Sequence, residues 1–212
     1  MVILAVCALA NATAFADDKA AFVKAVTDPQ EQAHVLDTAK KSTVVLNNPC
    51  PSAQYTLLPE LSIYAPPTFD SAGGILTGAW KHTLEEEGCG VTRTLNVLVL
   101  VRATKSLAVM PLLPGTTHAD PQLQRDAVRY AVAAVGGPEA NCTIGYVADT
   151  TFIDHEASAQ PGAKAPAWRE LWTLTSCTRR SQVPMRFIPD ATGTQIVADA
   201  TGIKKLPLNA SP

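Results

Sequence analysis

The sequence predicts an α+β protein built from one unit used twice: a helix followed by a four-stranded antiparallel sheet, in tandem duplication and stapled by disulfides. Three observations predict it. Rare residues recur in order, Cys50, Trp80 and Cys89 being followed by Cys142, Trp172 and Cys177. Asp28-Pro29-Gln30 recurs as Asp120-Pro121-Gln122 ahead of each set. Between these landmarks lie extended runs rich in aromatic, β-branched and Leu residues, the composition of strands. The offset is 92 residues as far as the tryptophan. A four-residue deletion then brings it to 88, which maps Cys89 to Cys177 and Val109 to Val197. Such a period is too long for a solenoid unit and implies two copies of a small domain. The expected organisation is a signal segment at 1–16, a first unit at 17–118 and a second at 119–212.

The elements follow from local chemistry. Asp accepts hydrogen bonds from the free N–H groups of a first helical turn, and Pro suits the first helical position. The helix after Asp120 carries Leu123, Ala127, Val128, Ala131, Val132 and Val135 near helical spacing, and Gly136-Gly137-Pro138 ends it. Its counterpart runs from Pro29 to about Lys41, and Thr43–Leu46 either extends it or turns into a short extended segment. Strands are expected at Tyr55–Tyr64 and Thr143–Ile153. Long turn-rich loops follow at Ala65–Gly78 and Glu156–Ala167, and then the strands carrying Trp80 and Trp172. Each unit closes with a hairpin, Leu95–Val101 with Leu107–Leu113 and Val183–Ile188 with Gln195–Ala198. Leu95–Val101 reads LNVLVLV, apolar on both faces as a central strand should be. Four sequential strands favour a meander with the helix on one face, an element order shared with the cystatin-like and hot-dog-like folds.

The first residues predict export. Val2–Ala10 is an uncharged apolar stretch of signal-core length, too short to span a bilayer. Ala14-Phe15-Ala16 offers small residues at the positions a signal peptidase reads, so cleavage is expected after Ala16, discarding Cys7. The four remaining cysteines, an even number without a CxxC, then favour disulfides in the periplasm or outside the cell. Three pairings are possible, and the repeat favours Cys50–Cys89 with Cys142–Cys177. The mature chain has no second apolar run of membrane-spanning length.

Composition narrows function by exclusion. The formal net charge is −2, and basic residues do not concentrate on a stretch that would track nucleic acid. No GxSxG, SxxK, HExxH or glycine-rich phosphate fingerprint occurs, and no cofactor is expected. The densest polar cluster is Asp149 with Asp154, His155 and Glu156, which could supply an acid–base pair or metal ligands. Strand alternation sets Asp154 and Glu156 on one face and His155 on the other. His118-Ala-Asp120 offers a second ligand pair, with Asp120 better used as a helix cap. The long loops carry Phe69 and lead into Trp168, candidate contacts for a ligand or partner if exposed.

The run Trp168-Arg-Glu-Leu-Trp172, Cys177 and Val183-x-Met-x-Phe187-x-Pro-Asp190 resembles the C-terminal part of uncharacterised secreted bacterial proteins. These share a W-x-E-x-W strand, a cysteine and a V-x-V-x-F-x-P-D hairpin. The resemblance covers about thirty residues and implies no activity or site. The expectation is therefore a non-enzymatic envelope protein that binds a small ligand, a lipid or a protein in the cleft between units or at the long loops. A hydrolase-like enzyme using Asp154, His155 and Glu156, or a subunit of an envelope assembly, are the alternatives.

Overall fold

Two antiparallel sheets, one from each half of the sequence, organise the chain in a computed structural model that describes residues 18–103, 106–156 and 165–208. The expected signal segment, Cys7 and most of the loop at 156–167 lie outside the described residues. Helices α1 (residues 18–26), α2 (Pro29–Lys40) and α3 (Thr43–Asn47) lead into β1 (Gln54–Phe69), β2 (Ile75–Gly88), β3 (Val91–Val101) and β4 (Leu107–Pro111). Then come α4 (Pro121–Ala134), β5 (Gly145–His155), β6 (Trp168–Ser176), β7 (Arg180–Pro189), β8 (Thr194–Ala198) and β9 (Lys204–Leu206). Both sheets run in sequential order, and β9 adds a fifth strand to the second by pairing with β7.

Asp28 and Asp120 cap α2 and α4 through their carboxylates, with Pro in the first turn of each. This spares first-turn N–H groups that have no helical partner. Val35 and Ala39 of α2, and Ala127 and Ala131 of α4, are fully buried, so each helix lays one stripe on its own sheet. Two separate cores result. One gathers Trp80, Leu84, Leu95, Val97 and Val99; the other gathers Trp168, Trp172, Val183, Met185 and Phe187. Cys50 is bonded to Cys89, and Cys142 to Cys177, with Cα–Cα separations of 6.0 and 5.7 Å.

Several expectations need correction. The first long loop is mostly strand: β1 runs to Phe69, β2 starts at Ile75, and only residues 70–74 turn between them. Pro59, Pro66 and Pro67 sit inside β1 because it is an edge strand, where a missing N–H faces solvent, and its pairing is broken by bulges. Residues 43–47 form a separate short helix, and α1 was not anticipated. The tryptophan correspondence also shifts. Trp80 faces Val99 across β2–β3, while Trp168 faces Phe187 across β6–β7, both partners displaced by 88 residues. Trp168 therefore stands at the station of Trp80, and Trp172 at that of Leu84. The next inward station holds His82 in one sheet and Glu170 in the other. The indole N–H of Trp80 donates to His82 Nε2 at 3.2 Å, and that of Trp168 to Glu170 Oε1 at 2.7 Å.

Candidate functional site

Of the expected polar cluster, two carboxylates are engaged by arginines. Asp154 is held bidentately by Arg169, and Glu156 by Arg186 at 2.5 and 2.7 Å. Arg169 and Arg186 are cross-strand neighbours, so the two acids separate two like charges along the outer face of the second sheet. The same hydrogen bonds hold both carboxyls below their usual range. His155 lies apart from this ladder. A bulge between Phe152 and Asp154 brings His155 onto the side of Phe152, whose ring centroid is 5.0 Å away. Asp149 belongs to a different place. It is half-buried beside residue 115, and burial pushes its carboxyl up against the opposing hydrogen bond from Thr151.

The candidate aromatic contacts also resolve. Trp168 is buried, stacked on Phe187 with centroids 4.9 Å apart, rather than exposed. Phe69 is half-buried and paired with Ile75. Glu170, 1 % exposed, accepts from the indoles of Trp168 and Trp172 and from the His118 backbone N–H, at 2.7, 2.7 and 2.9 Å. These three donors satisfy a polar group that burial has cut off from water.

That last bond leads to a cavity. Alternation along β2 turns Trp80, His82 and Leu84 into the core, so Lys81 and Thr83 point from the opposite face. Ser62 stands across from Lys81 on β1, and Asn96 across from Thr83 on β3. The segment 112–118, which joins the two sheets, is strapped over this face. Asn96 Nδ2 donates to the carbonyls of Leu113 and Gly115 at 2.8 and 2.9 Å, and the Gly115 N–H donates to the Thr94 carbonyl at 2.8 Å. The strap's other edge is fixed to β5: the Thr116 N–H reaches the Thr150 carbonyl at 2.6 Å, and the Thr117 N–H reaches Thr150 Oγ1 at 3.2 Å.

Between strap and sheet lies a cavity of about 450 Å³, lined by Ser62, Tyr64, Lys81, Thr83, Thr94 and His118 together with the strap itself. Most of its lining residues carry a hydroxyl. Lys81 is half-buried, and burial lowers its ammonium from the ordinary value. Among the described residues no carboxylate lies within ion-pair distance of it. Tyr64 is pushed up to about 12 by burial and then by the charge of Asp120. His118 is lowered chiefly by burial, with Glu170 opposing and His155 and Lys81 adding to the fall. Its ring stacks on Phe152 at 3.8 Å, with the His155 ring 5.5 Å away. The second sheet thus positions one wall of a cavity that otherwise belongs to the first.

Lys81 and Tyr64 were not singled out from the sequence. The signal was present only as a lysine between two core residues, Trp80 and His82, which marks an outward station but not what covers it. Among the described residues no group of three or more His, Cys, Asp or Glu side chains converges as metal ligands would, and no helix is long and apolar enough to cross a membrane. Comparison with protein-family models, curated proteins and solved structures gives no match for this chain.

Proposed function

We propose that this chain is an exported binding protein, made of two duplicated helix-plus-sheet units, that holds a small ligand in the cavity beneath the strap joining them. The observation that carries the reading is Lys81: a half-buried cation, facing hydroxyls and no acid, in a cavity of small-molecule size. Hydrolysis by Asp154, His155 and Glu156 is the weaker reading, because both carboxylates are committed to arginines and the imidazole turns away from them.

Duplication is supported by the uniform 88-residue displacement of the Trp80–Val99 and Trp168–Phe187 hairpins. The capped helices and the bridges, which stand at matching places, support it too. Each unit has the element order of the cystatin-like group, with unit boundaries near 17–118 and 119–212. The likeness of order carries no function. Two bridges fit an oxidising compartment, the periplasm or outside the cell.

Export has a direct test. Produced in a bacterium from its own Met1, the protein should be recovered in the periplasmic fraction with an intact mass beginning at Asp17 and no free thiol. A cytoplasmic product retaining Met1 and reactive thiols would sink the proposal. Binding is tested with Ser62→Trp, which fills the cavity from an exposed position on an edge strand. A panel of small metabolites screened by thermal shift should contain members that raise the wild-type midpoint by several degrees and leave the variant unmoved. If every hit acts equally on both proteins, the cavity is not the site.

A further inference from the structure

We propose that the cavity under the strap is an oxyanion site: it takes the carboxylate or phosphate group of a small molecule, with Lys81 as counter-charge and Ser62, Tyr64 and Thr94 as hydrogen-bond donors. This rests on the reading of the cavity as the ligand site and names the chemistry of what enters it.

The argument begins with the cost of the lysine. A half-buried ammonium loses part of its hydration, and a protein ordinarily returns that loss through a nearby acid. Here the neighbours across and along the strands are Ser62, Thr83 and Leu98, none of them acidic. Hydroxyls can solvate an ammonium as acceptors, but those of Ser62, Tyr64 and Thr94 also keep a proton to donate, whereas Thr83 gives its proton to Asn96 Oδ1. A cavity lined by hydroxyls and one cation therefore suits a ligand that accepts from several donors and carries negative charge. A neutral partner would leave the ammonium uncompensated, and a cationic one would be repelled.

The acids nearest the site do not cancel this charge. Asp120, which lies behind Tyr64, holds the Leu123 N–H at 2.8 Å as the cap of α4. Glu170 is 1 % exposed and turned to three N–H donors behind His118. Glu85 continues the outward face of β2 beyond Thr83 and stands directly across from Thr94, but it is exposed and does not line the cavity. His118 lines the wall from the strap and becomes a second cation when protonated.

The sign of the pH dependence follows. Affinity should be highest at mildly acid pH, where His118 and Lys81 are both charged and the ligand's own oxyanion is still ionised; it falls at lower pH as the ligand takes up its proton. It should fall as His118 deprotonates, below the ordinary histidine range because burial disfavours its imidazolium form. It should fall again as pH rises through the lowered Lys81 value.

The experiment uses the full mature chain and two probes, inorganic phosphate and acetate, titrated at constant ionic strength against the amide resonances of Thr83, Thr94, Thr116 and Thr117. Both should give saturable shifts confined to these residues, and the tighter of the two tells a phosphoryl from a carboxylate ligand. Lys81→Met should weaken binding at least tenfold while leaving the rest of the spectrum unchanged, and Lys81→Arg should restore most of it. Equal binding by Lys81→Met, or no saturable shift from either probe in the wild type, overturns the oxyanion assignment. Glucose serves as the neutral control. If it shifts the same resonances in wild type and Lys81→Met alike, the cavity still binds a ligand but not through charge. If glucose, phosphate and acetate all leave the cavity unperturbed, and the hits of the metabolite screen ignore Ser62→Trp, the cavity reading fails as well.

Discussion

Removing either disulfide by paired Cys→Ala substitution should lower stability by about 4 kcal/mol, the entropy of closing loops of 39 and 35 residues in the unfolded chain. Each bridge ties the start of its unit's first strand to the end of the second, so it restrains a whole strand pair. The two are not buttressed alike. Next to Cys177, Glu139 accepts from Ser176, Thr178 and Arg179, the Arg179 contact being 2.6 Å, and the same arginine reaches the Val135 and Gly137 carbonyls. Hydrogen bonds, from Ser176 first, bring the Glu139 carboxyl down to about 2. A depressed carboxyl stabilises the fold above its unfolded pKa of about 4.5 and loses that contribution as pH falls toward 2. Both double variants keep Glu139, so the stability of each should fall between pH 7 and pH 3 as this carboxyl is protonated. Urea denaturation of the two double variants at both pH values measures it. A change below about 1 kcal/mol for either pair would mean that the unfolded chain is already restrained there.

The bridges were legible in the sequence because cysteine is rare and its spacing repeated. The helix starts were legible for a similarly local reason: Asp-Pro satisfies the first turn without help from elsewhere. The residues at 65–69 were not. Prolines at 66 and 67 read as a loop, and only the edge position of β1, a tertiary fact, makes them acceptable in a strand. The tryptophan register misled for a related reason. Matching Trp80 to Trp172 puts the four-residue deletion after the tryptophan, whereas hairpin pairing fixes stations by distance from the turn, puts the deletion before it and sets Trp168 at Trp80's station. The candidate site was least legible. Asp154, His155 and Glu156 stand together in sequence, yet alternation and a bulge divide them. Lys81, Tyr64 and His118 come from three segments that meet only because the strap crosses the first sheet.

That crossing makes Gly115 the most tightly enclosed glycine among the described residues. Its φ is +93°, a conformation that L side chains rarely adopt. A methyl group there would overlap the Thr150 carbonyl oxygen and stand 2.6 Å from both Thr150 N and Asp149 Oδ1. Neither sheet can yield easily. Thr150 is 1 % exposed, paired with Trp172, and bonded through its side chain to the Pro114 carbonyl at 2.5 Å. On the other side the Gly115 N–H and carbonyl are held by Thr94 and Asn96 of β3. Gly115→Ala should cost about 3 kcal/mol or more, the backbone strain and the overlap together. Gly90→Ala separates the two effects, because Gly90 has φ +75° but no atom within 4 Å of the added methyl. It should cost only about 1–2 kcal/mol, the left-handed penalty alone. If urea midpoints place the two variants together, the strap does not pack on β5 as tightly as its hydrogen bonds require. If Gly115→Ala is the worse by the expected margin and also weakens phosphate or acetate binding, the same contact that joins the sheets also shapes the cavity. Gly90→Ala, at the β2–β3 turn, should leave that binding intact.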